Sequence, residues 1–349
     1  MQNLVIVTMD PDFVDLGLDE IKSGSTGPVD VQDALEPGVY PLQLSTSFWN
    51  LAQKWQAHSP IFVRHIFPVQ LTVNMPTLEN LKQQTELVFA DLVDPAFPFS
   101  VQTRIFGDWP FKPFDVNTKL ATLLCESSGA ELDVRRPRQI VSVVIARRPE
   151  NEGIAFLGLS LTEHNLSDWA GGVRRFKREK GQISRAEFKL LEALEQFQIT
   201  LPPRGVALDL GAAPGGWTRI LRLKEQYVTA VDPAGLHPSL RHDPGVRHIR
   251  QSAEAHLDSA PDKYDLIVND MRMDARDSAR LMVQYRPYLY ATGEAIMTLK
   301  LPAGNRPKII DHSFKILRQG YQIQKARHLF HNRSEITLHL RPGGVQTGK

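Results

Sequence analysis

The chain has 349 residues, more than one ordinary hydrophobic core holds, so we expect two or three domains. Its single cysteine, Cys125, excludes an internal disulfide and a thiolate zinc site, and it suits a reducing cytoplasm. The N-terminus lacks a basic leader region and no run of eighteen apolar residues occurs, so we expect neither a signal peptide nor a membrane span.

Charge is distributed unevenly behind a formal net charge of +2. Residues 1–170 contain 12 Lys and Arg against 21 Asp and Glu, whereas residues 171–349 contain 29 against 18. A basic half of this size favours a polyanionic partner such as RNA, although a solvated basic surface has the same composition.

The first half of the chain predicts a mixed α+β region with antiparallel strands. Residues 24–45 are rich in Gly, Pro, Ser and Asp and predict a loop, and residues 62–73 predict one strand. Helical spacing of apolar residues predicts helices at DPDFVDLGLDEIKSG, TLENLKQQTELVFADLV and DVNTKLATLLCESSG. The other predicted strands are NLVIVTM, SVQTRIF, IVSVVIAR and IAFLGLSL.

A basic segment at residues 171–183 separates this region from the second half. Its glycines and its cluster of cations predict a linker that contacts RNA phosphates through Arg174, Arg175, Lys177, Arg178 and Lys180. An amphipathic helix, SRAEFKLLEALEQFQI, comes next. From Val206 onward strands and helices alternate, which is typical of a mostly parallel sheet covered by helices on both faces.

The strongest motif is DLGAAPGGWT at residues 209–218, between an apolar strand and a helix. Small residues let the backbone approach a ligand, and Asp232, about twenty residues on, can accept hydrogen bonds from both hydroxyls of an adenosine ribose. A nicotinamide-binding enzyme uses the same devices, but this loop lacks the G-x-G-x-x-G spacing. A plain β–α turn rarely combines three glycines, a proline and a following acid.

These sequences resemble a known family. DLGAAPGGWT is similar to the cofactor motif of the FtsJ-type RNA 2′-O-methyltransferases, and SRAEFKL resembles the helix that carries their first catalytic lysine. The likeness is closer still to the bacterial branch that methylates a cytidine of 23S rRNA and carries a THUMP domain, an RNA-binding module. That branch is matched by TLKLP at 298–302, by LFHNRSEITLH, and in the first half by FSVQTRIFGDWPF, LDVRRPRQIVSVVIARR and IAFLGLSLTEHNLSDWAGG.

The resemblance implies an α/β fold with a Rossmann-like methyltransferase domain at 184–349 that binds S-adenosylmethionine. An α+β region would precede it, made of a ferredoxin-like module at 1–72 and a THUMP-like domain at 73–170. Where the family has an acid against the adenine, this chain has Ser252, with Glu254 two residues on. The implied cofactor contacts are Ala186, Asp209, Gly211, Ala213, Pro214, Gly215, Gly216, Trp217, Asp232, Ser252 and Asp270.

The same resemblance implies a catalytic tetrad of Lys189, Asp270, Lys300 and Glu335. A ribose 2′-hydroxyl is a weak nucleophile, so an enzyme must align it with the methyl group and help it lose its proton. We expect Lys300 to act as the base or to orient the hydroxyl. Like-charge repulsion from Lys189 would favour the neutral amine, while the two carboxylates orient both lysines.

Three other functions remain open at this point. A catalytically inactive RNA-binding protein would keep the basic surface but need not keep the tetrad. An RNA base methyltransferase usually carries an Asn/Asp-Pro-Pro-aromatic sequence where this chain has Asn269-Asp270-Met271-Arg272. A nicotinamide-dependent oxidoreductase is disfavoured by the loop spacing. The scattered histidines show no metal-ligand spacing, so we expect no metal.

Overall fold

A computed structural model describes residues 3–148 and 152–343 of the chain. It divides into two compact units, Met1–Arg174 and Arg175–Lys349, and the division falls within the basic segment at 171–183. No helix in the described part of the chain is long and apolar enough to cross a membrane.

The first unit begins with a four-stranded antiparallel sheet. The strands lie in the order β2-β3-β1-β4, which is the split βαβ arrangement of ferredoxin-like modules. The prediction of a loop over 24–45 was wrong. Gly and Pro in this range argue against strands, but strand β3 forms there because β1 supplies its backbone hydrogen-bond partners. The elements are β1 Leu4–Met9, α1 Val14–Gly24, β2 Val29–Val31, β3 Val39–Leu44, α2 Phe48–Ala57 and β4 Val63–Pro68.

A second four-stranded sheet follows in the same unit, in the order β5-β8-β7-β6. Strands β6 and β7 pair in parallel, which differs from the antiparallel strands predicted for this half. The strand predicted over 62–73 is two strands in two sheets, and the boundary predicted at residue 72 falls inside the second. The elements are β5 Leu71–Asn74, α3 Leu78–Phe89, β6 Phe99–Ile105, α4 Pro113–Ser128, β7 Gln139–Arg147 and β8 Gly153–Leu161.

The two sheets of the first unit share buried apolar side chains. Ile6 and Phe67 of the first sheet cluster with Val144 and Phe156 of the second. Burial of such side chains is the main favourable term in folding, so the two sheets pack as one compact unit.

The second unit is a seven-stranded sheet covered by helices, which confirms the predicted Rossmann-like fold. Its order is β11-β10-β9-β12-β13-β15-β14, and every pair is parallel except the two that involve β15. The elements are α5 Ala186–Gln196, β9 Val206–Leu210, α6 Gly216–Leu223, β10 Tyr227–Val231, β11 Val246–Ile249, α7 Ala253–Asp258, β12 Tyr264–Asn269, α8 Ala275–Tyr285, β13 Leu289–Lys300, α9 Arg306–Leu317, β14 Tyr321–Arg327 and β15 Glu335–Pro342.

This topology brings particular residues to one edge of the sheet. The carboxyl ends of the parallel strands β9 to β13 share that edge, where ligands bind in open α/β sheets. Because β15 runs antiparallel to β13, its first residue lies at the same edge, and Glu335 is in register with Lys300. The reversed strand therefore adds a carboxylate beside the ends of the parallel strands.

Candidate active site

A cavity of about 1400 Å³ opens at this edge of the second unit. Small-molecule pockets usually measure about 300–1,000 Å³, so the cavity has room for a nucleoside cofactor and part of a second substrate. Its walls come from the residues that follow β9, β10, β11 and β12, the end of β13, and the start of β15.

The glycine-rich loop forms the floor of the cavity beside β9 and β10. Gly211 has a φ of +72°, and a Cβ there would overlap the side chain of Met271, so only glycine fits this close approach. Its backbone N–H donates to the Val231 carbonyl at 2.9 Å. The Asp232 carboxylate accepts the N–H groups of Ala213 at 3.1 Å and Ala234 at 2.7 Å, which holds the loop against the second strand.

Six of the predicted cofactor residues line the cavity, namely Ala186, Gly211, Ala213, Asp232, Ser252 and Asp270. They suit an adenosine: the loop lets a ligand approach the backbone, and Asp232 offers a half-buried carboxylate to a ribose diol. The Ser252 hydroxyl accepts the Ala255 N–H at 3.2 Å and so caps α7. Glu254, which is exposed, also lines the cavity there.

The other five predicted cofactor residues lie outside the cavity wall: Asp209, Pro214, Gly215, Gly216 and Trp217. Trp217 is only 3% exposed, and its indole N–H donates to the Ala186 carbonyl at 2.8 Å, so it ties α6 to α5. Asp209 is buried and accepts the Thr218 hydroxyl at 2.6 Å, and burial raises its pKa to about 7. Asp209 and Trp217 therefore support the loop from behind, since their side chains are buried in the core.

The four residues of the predicted tetrad meet in one ion-pair cluster. Lys300 Nζ lies 2.7 Å from Asp270 Oδ1, and Lys189 Nζ lies 3.1 Å from Asp270 Oδ2. Lys189 Nζ also lies 2.7 Å from Glu335 Oε1. Two cations and two carboxylates alternate, so the charges of the largely buried cluster are compensated.

The cluster shifts the pKa values of two of its members, Lys189 and Asp270. Burial disfavours the charged form of Lys189, but the carboxylates of Asp270 and Glu335 outweigh it and raise its pKa. Burial likewise acts to raise the pKa of Asp270, but Lys300 and Lys189 together outweigh it and hold that pKa below its usual value. Asp270 is therefore an ionised group that orients both lysines.

Thr298 also belongs to the cluster, although the sequence analysis did not predict it. Its hydroxyl donates to Asp270 Oδ1 at 2.7 Å and accepts from Lys300 Nζ at 2.9 Å. Residues two apart on a strand point to the same face, so the position of Lys300 at the end of β13 was a signal for Thr298. Its hydroxyl fixes the direction of both partners.

An aromatic cluster places the basic segment beside the cavity. The ring of Phe176 lies 5.6 Å from that of Phe188 and 5.5 Å from that of His331, centroid to centroid. Phe188 and His331 both line the cavity, and the flanking cations Arg175, Lys177, Arg178 and Lys180 are exposed. Arg174 differs from them, because its guanidinium lies over the Trp169 ring at 5.3 Å within the first unit.

No group of three or more His, Cys, Asp or Glu side chains that could hold a metal ion occurs in residues 3–148 and 152–343.

Comparison with known families places the site in a recognised domain. Residues 182–303 match the model of the FtsJ-like methyltransferase family. This stretch includes the glycine loop, Asp232, Lys189, Asp270 and Lys300, and it ends before Glu335.

Known proteins resemble the chain over different lengths. It is 36% identical over 176 residues to the ribosomal RNA large subunit methyltransferase M of Halorhodospira halophila. These residues cover 50% of this chain and 51% of that relative. The protein of the same name from Aeromonas salmonicida is 28% identical over 313 residues, covering 83% of this chain and 82% of the relative. A crystal structure of TrmN from Thermus thermophilus covers 97% of this chain and 99% of that one at 17% identity, with a TM-score of 0.39.

Proposed function

We propose, on the premise that the chain carries an FtsJ-like methyltransferase domain over residues 182–303, that it transfers a methyl group from S-adenosylmethionine to a ribose 2′-hydroxyl of RNA. The observation that carries the proposal is the cluster of Lys189, Asp270, Lys300 and Glu335, which shares one cavity with the glycine loop.

Different strands carry the two expected regions of the cavity, one for the adenosine of the cofactor and one for the RNA hydroxyl. Asp232, Ser252 and Gly211 follow β10, β11 and β9, so the adenosine would lie over these three neighbouring strands. The tetrad lies over β12, β13 and β15, the next three strands in the order of the sheet. A hydroxyl bound beside Lys300 would then face the cofactor across Asp270.

Bound S-adenosylmethionine supplies a methyl group that its sulfonium already activates. The residues of the chain have to align the weak nucleophile and receive its proton. Lys300 Nζ is our candidate for that contact, as base or as the group that orients the hydroxyl. Asp270 and Thr298 fix its direction, and Glu335 and Asp270 hold Lys189 beside them.

The alternatives fit these contacts less well. An RNA-binding protein without catalysis has no need to keep two largely buried cations and two carboxylates paired at the edge of the cavity, because burying charges is costly. A base methyltransferase needs acceptors for a ring amine, but the residues after β12, Asp270 and Met271, lack the prolines usual in that class.

The substrate we propose is rRNA of the large subunit, and within it a cytidine of 23S rRNA. The names of the curated relatives support the large-subunit rRNA, and the cytidine rests on the resemblance of the motifs. The exposed cations Arg175, Lys177, Arg178 and Lys180, held beside the cavity by Phe176, would contact the RNA phosphates.

Tritium transfer tests the proposal. The full chain is incubated with tritiated S-adenosylmethionine and 23S rRNA from cells that lack the gene, and the RNA is then digested to nucleosides. We expect label in a 2′-O-methylated nucleoside. Label in a methylated base, or no label above that of a Lys300→Ala control, would overturn the proposal.

A further inference from the structure

The arginines of the second unit differ in whether they pair with an acid. Many form ion pairs with carboxylates, for example Arg219 with Glu187, Arg222 with Asp243, Arg247 with Asp262, Arg276 with Asp274, Arg280 with Asp277, and Arg341 with Glu294. Three arginines that line the cavity, Arg185, Arg272 and Arg333, form no ion pair with any residue that the structure describes. Charge in the cavity wall is thus left available to a ligand.

These three rim arginines come from three separate parts of the chain. Arg185 lies just before α5, Arg272 lies in the loop after β12, and Arg333 lies in the loop between β14 and β15. Each is within four residues of a member of the tetrad in sequence, and all three are exposed. Their guanidinium groups are therefore at the mouth of the cavity whose interior holds Lys300.

The loop that carries Arg333 is fixed in place by a buried carboxylate. Glu192, on α5 and only 2% exposed, accepts the N–H groups of Phe330 at 2.7 Å and His331 at 2.9 Å. The Asn332 side chain accepts the Leu329 N–H at 2.8 Å. A buried carboxylate that accepts two backbone N–H groups of the loop holds the loop in one conformation, because such a group is costly to bury without partners.

We propose that Arg185, Arg272 and Arg333 bind the RNA phosphates on either side of the target ribose. The proposal rests on the proposed function and extends it. Any RNA that brings a 2′-hydroxyl to Lys300 must bring the neighbouring phosphates to the mouth of the cavity. Guanidinium groups bind phosphate oxygens in pairs, and no carboxylate has to be displaced first.

The rim arginines and the basic segment would then contribute differently to RNA binding. The basic segment around Phe176 is exposed and would add affinity for any RNA backbone. The rim arginines would set the position of the strand, because phosphate contacts fix register and orientation. Loss of the rim should therefore raise the RNA concentration needed for half-maximal rate and leave cofactor binding unchanged.

The test uses a variant of the full chain with Arg185, Arg272 and Arg333 changed to Gln. Its control changes Arg247 and Arg280 to Gln, since these arginines are exposed and paired with Asp262 and Asp277, and neither they nor these acids line the cavity. Binding of unmethylated 23S rRNA is measured at several salt concentrations, together with single-turnover methylation and the affinity for S-adenosylhomocysteine.

The salt dependence of binding is the readout that a merely structural role would not change. Each lost phosphate contact lowers the slope of log affinity against log salt by about 0.7 on single-stranded RNA, so three should lower it by about 2. We expect this fall, an increase of about tenfold or more in half-saturating RNA, and an unchanged affinity for S-adenosylhomocysteine; the control should match the wild type.

Two outcomes separate this inference from the proposed function. If the wild type methylates RNA and the triple variant keeps its slope and half-saturating RNA, the rim arginines do not bind phosphates. If the wild type binds RNA with a slope that falls in the variant, but transfers no methyl group to ribose, the RNA contact stands and the proposed function fails. A wild type that binds no RNA overturns both.

Discussion

Replacement of Lys300 by alanine tests the centre of the mechanism. Lys300 Nζ contacts Asp270 at 2.7 Å and Thr298 at 2.9 Å, and its removal leaves Asp270 with the ammonium of Lys189 at 3.1 Å and the hydroxyl of Thr298. Because the carboxylate keeps a cation and a donor, the loss of stability should be that of one charge-assisted hydrogen bond, about 1.5–3 kcal/mol.

The rate of methyl transfer should fall far more than the stability of the fold. Loss of a positioned proton acceptor typically costs about 10²–10⁴ in rate, and loss of alignment adds to this. Cofactor affinity should survive, because Asp232 and the glycine loop lie over β9 and β10 and do not contact Lys300. Lys300→Arg should not restore activity, since a guanidinium stays charged and accepts no proton near neutral pH.

Single-turnover methylation of 23S rRNA with saturating cofactor measures the effect. Lys308→Ala is the matched control, because Lys308 is an exposed lysine on α9 outside the cavity wall. Lys189→Ala gives a second comparison: it leaves Glu335, whose side chain is only 8% exposed, without its cation, and should cost about 3–5 kcal/mol of stability. Near-wild-type turnover by Lys300→Ala would remove this lysine from the mechanism and with it most of the case for ribose methylation.

Three further predictions concern the cofactor, the core and the basic segment. The chain should bind S-adenosylhomocysteine in calorimetry without added metal, and Asp232→Ala should weaken that binding at least tenfold; equal affinity would exclude Asp232 from the site. Since burial raises the pKa of Asp209 to about 7, the folded state holds a proton that the unfolded state has lost between about pH 4 and 7, so stability falls as pH rises through that window. Asp209→Asn removes this penalty, and its unfolding temperature relative to wild type should rise from about pH 5 to pH 8; a constant difference would contradict the shift. Replacing the exposed Arg175, Lys177 and Arg178 by Ala should weaken RNA binding and flatten its salt dependence, whereas an unchanged slope would make the segment a solvated linker.

Much of the site could be predicted from the sequence because it depends on where strands end. The carboxyl ends of parallel strands share one edge of the sheet, so the glycine loop after β9, Asp232 after β10 and Asp270 after β12 had to lie near one another. Apolar runs of strand length and the turn residues between them carry that information locally.

The predictions failed where a partner far along the chain decides the outcome. Strand β3 forms despite Pro41, because β1 supplies backbone partners that a local pattern does not reveal. Strands β6 and β7 pair in parallel, although the sequence of this half predicted antiparallel strands. Trp217 in the cofactor motif turns its indole to Ala186, since an apolar ring is more stable in the core than in a cavity open to water.

The sequence by itself determined the fold of the second unit and the glycine loop, and its resemblance to a family implied the four residues of the predicted tetrad. Only the tertiary structure decided which members of the tetrad contact one another. It shows that the Asp270 carboxylate contacts both lysines and that the Thr298 hydroxyl also bonds to Asp270. Glu335 shows the physical reason. It reaches the site because β15 runs antiparallel to β13 and pairs it with Lys300, and the direction and register of a strand are set by its neighbours in the sheet.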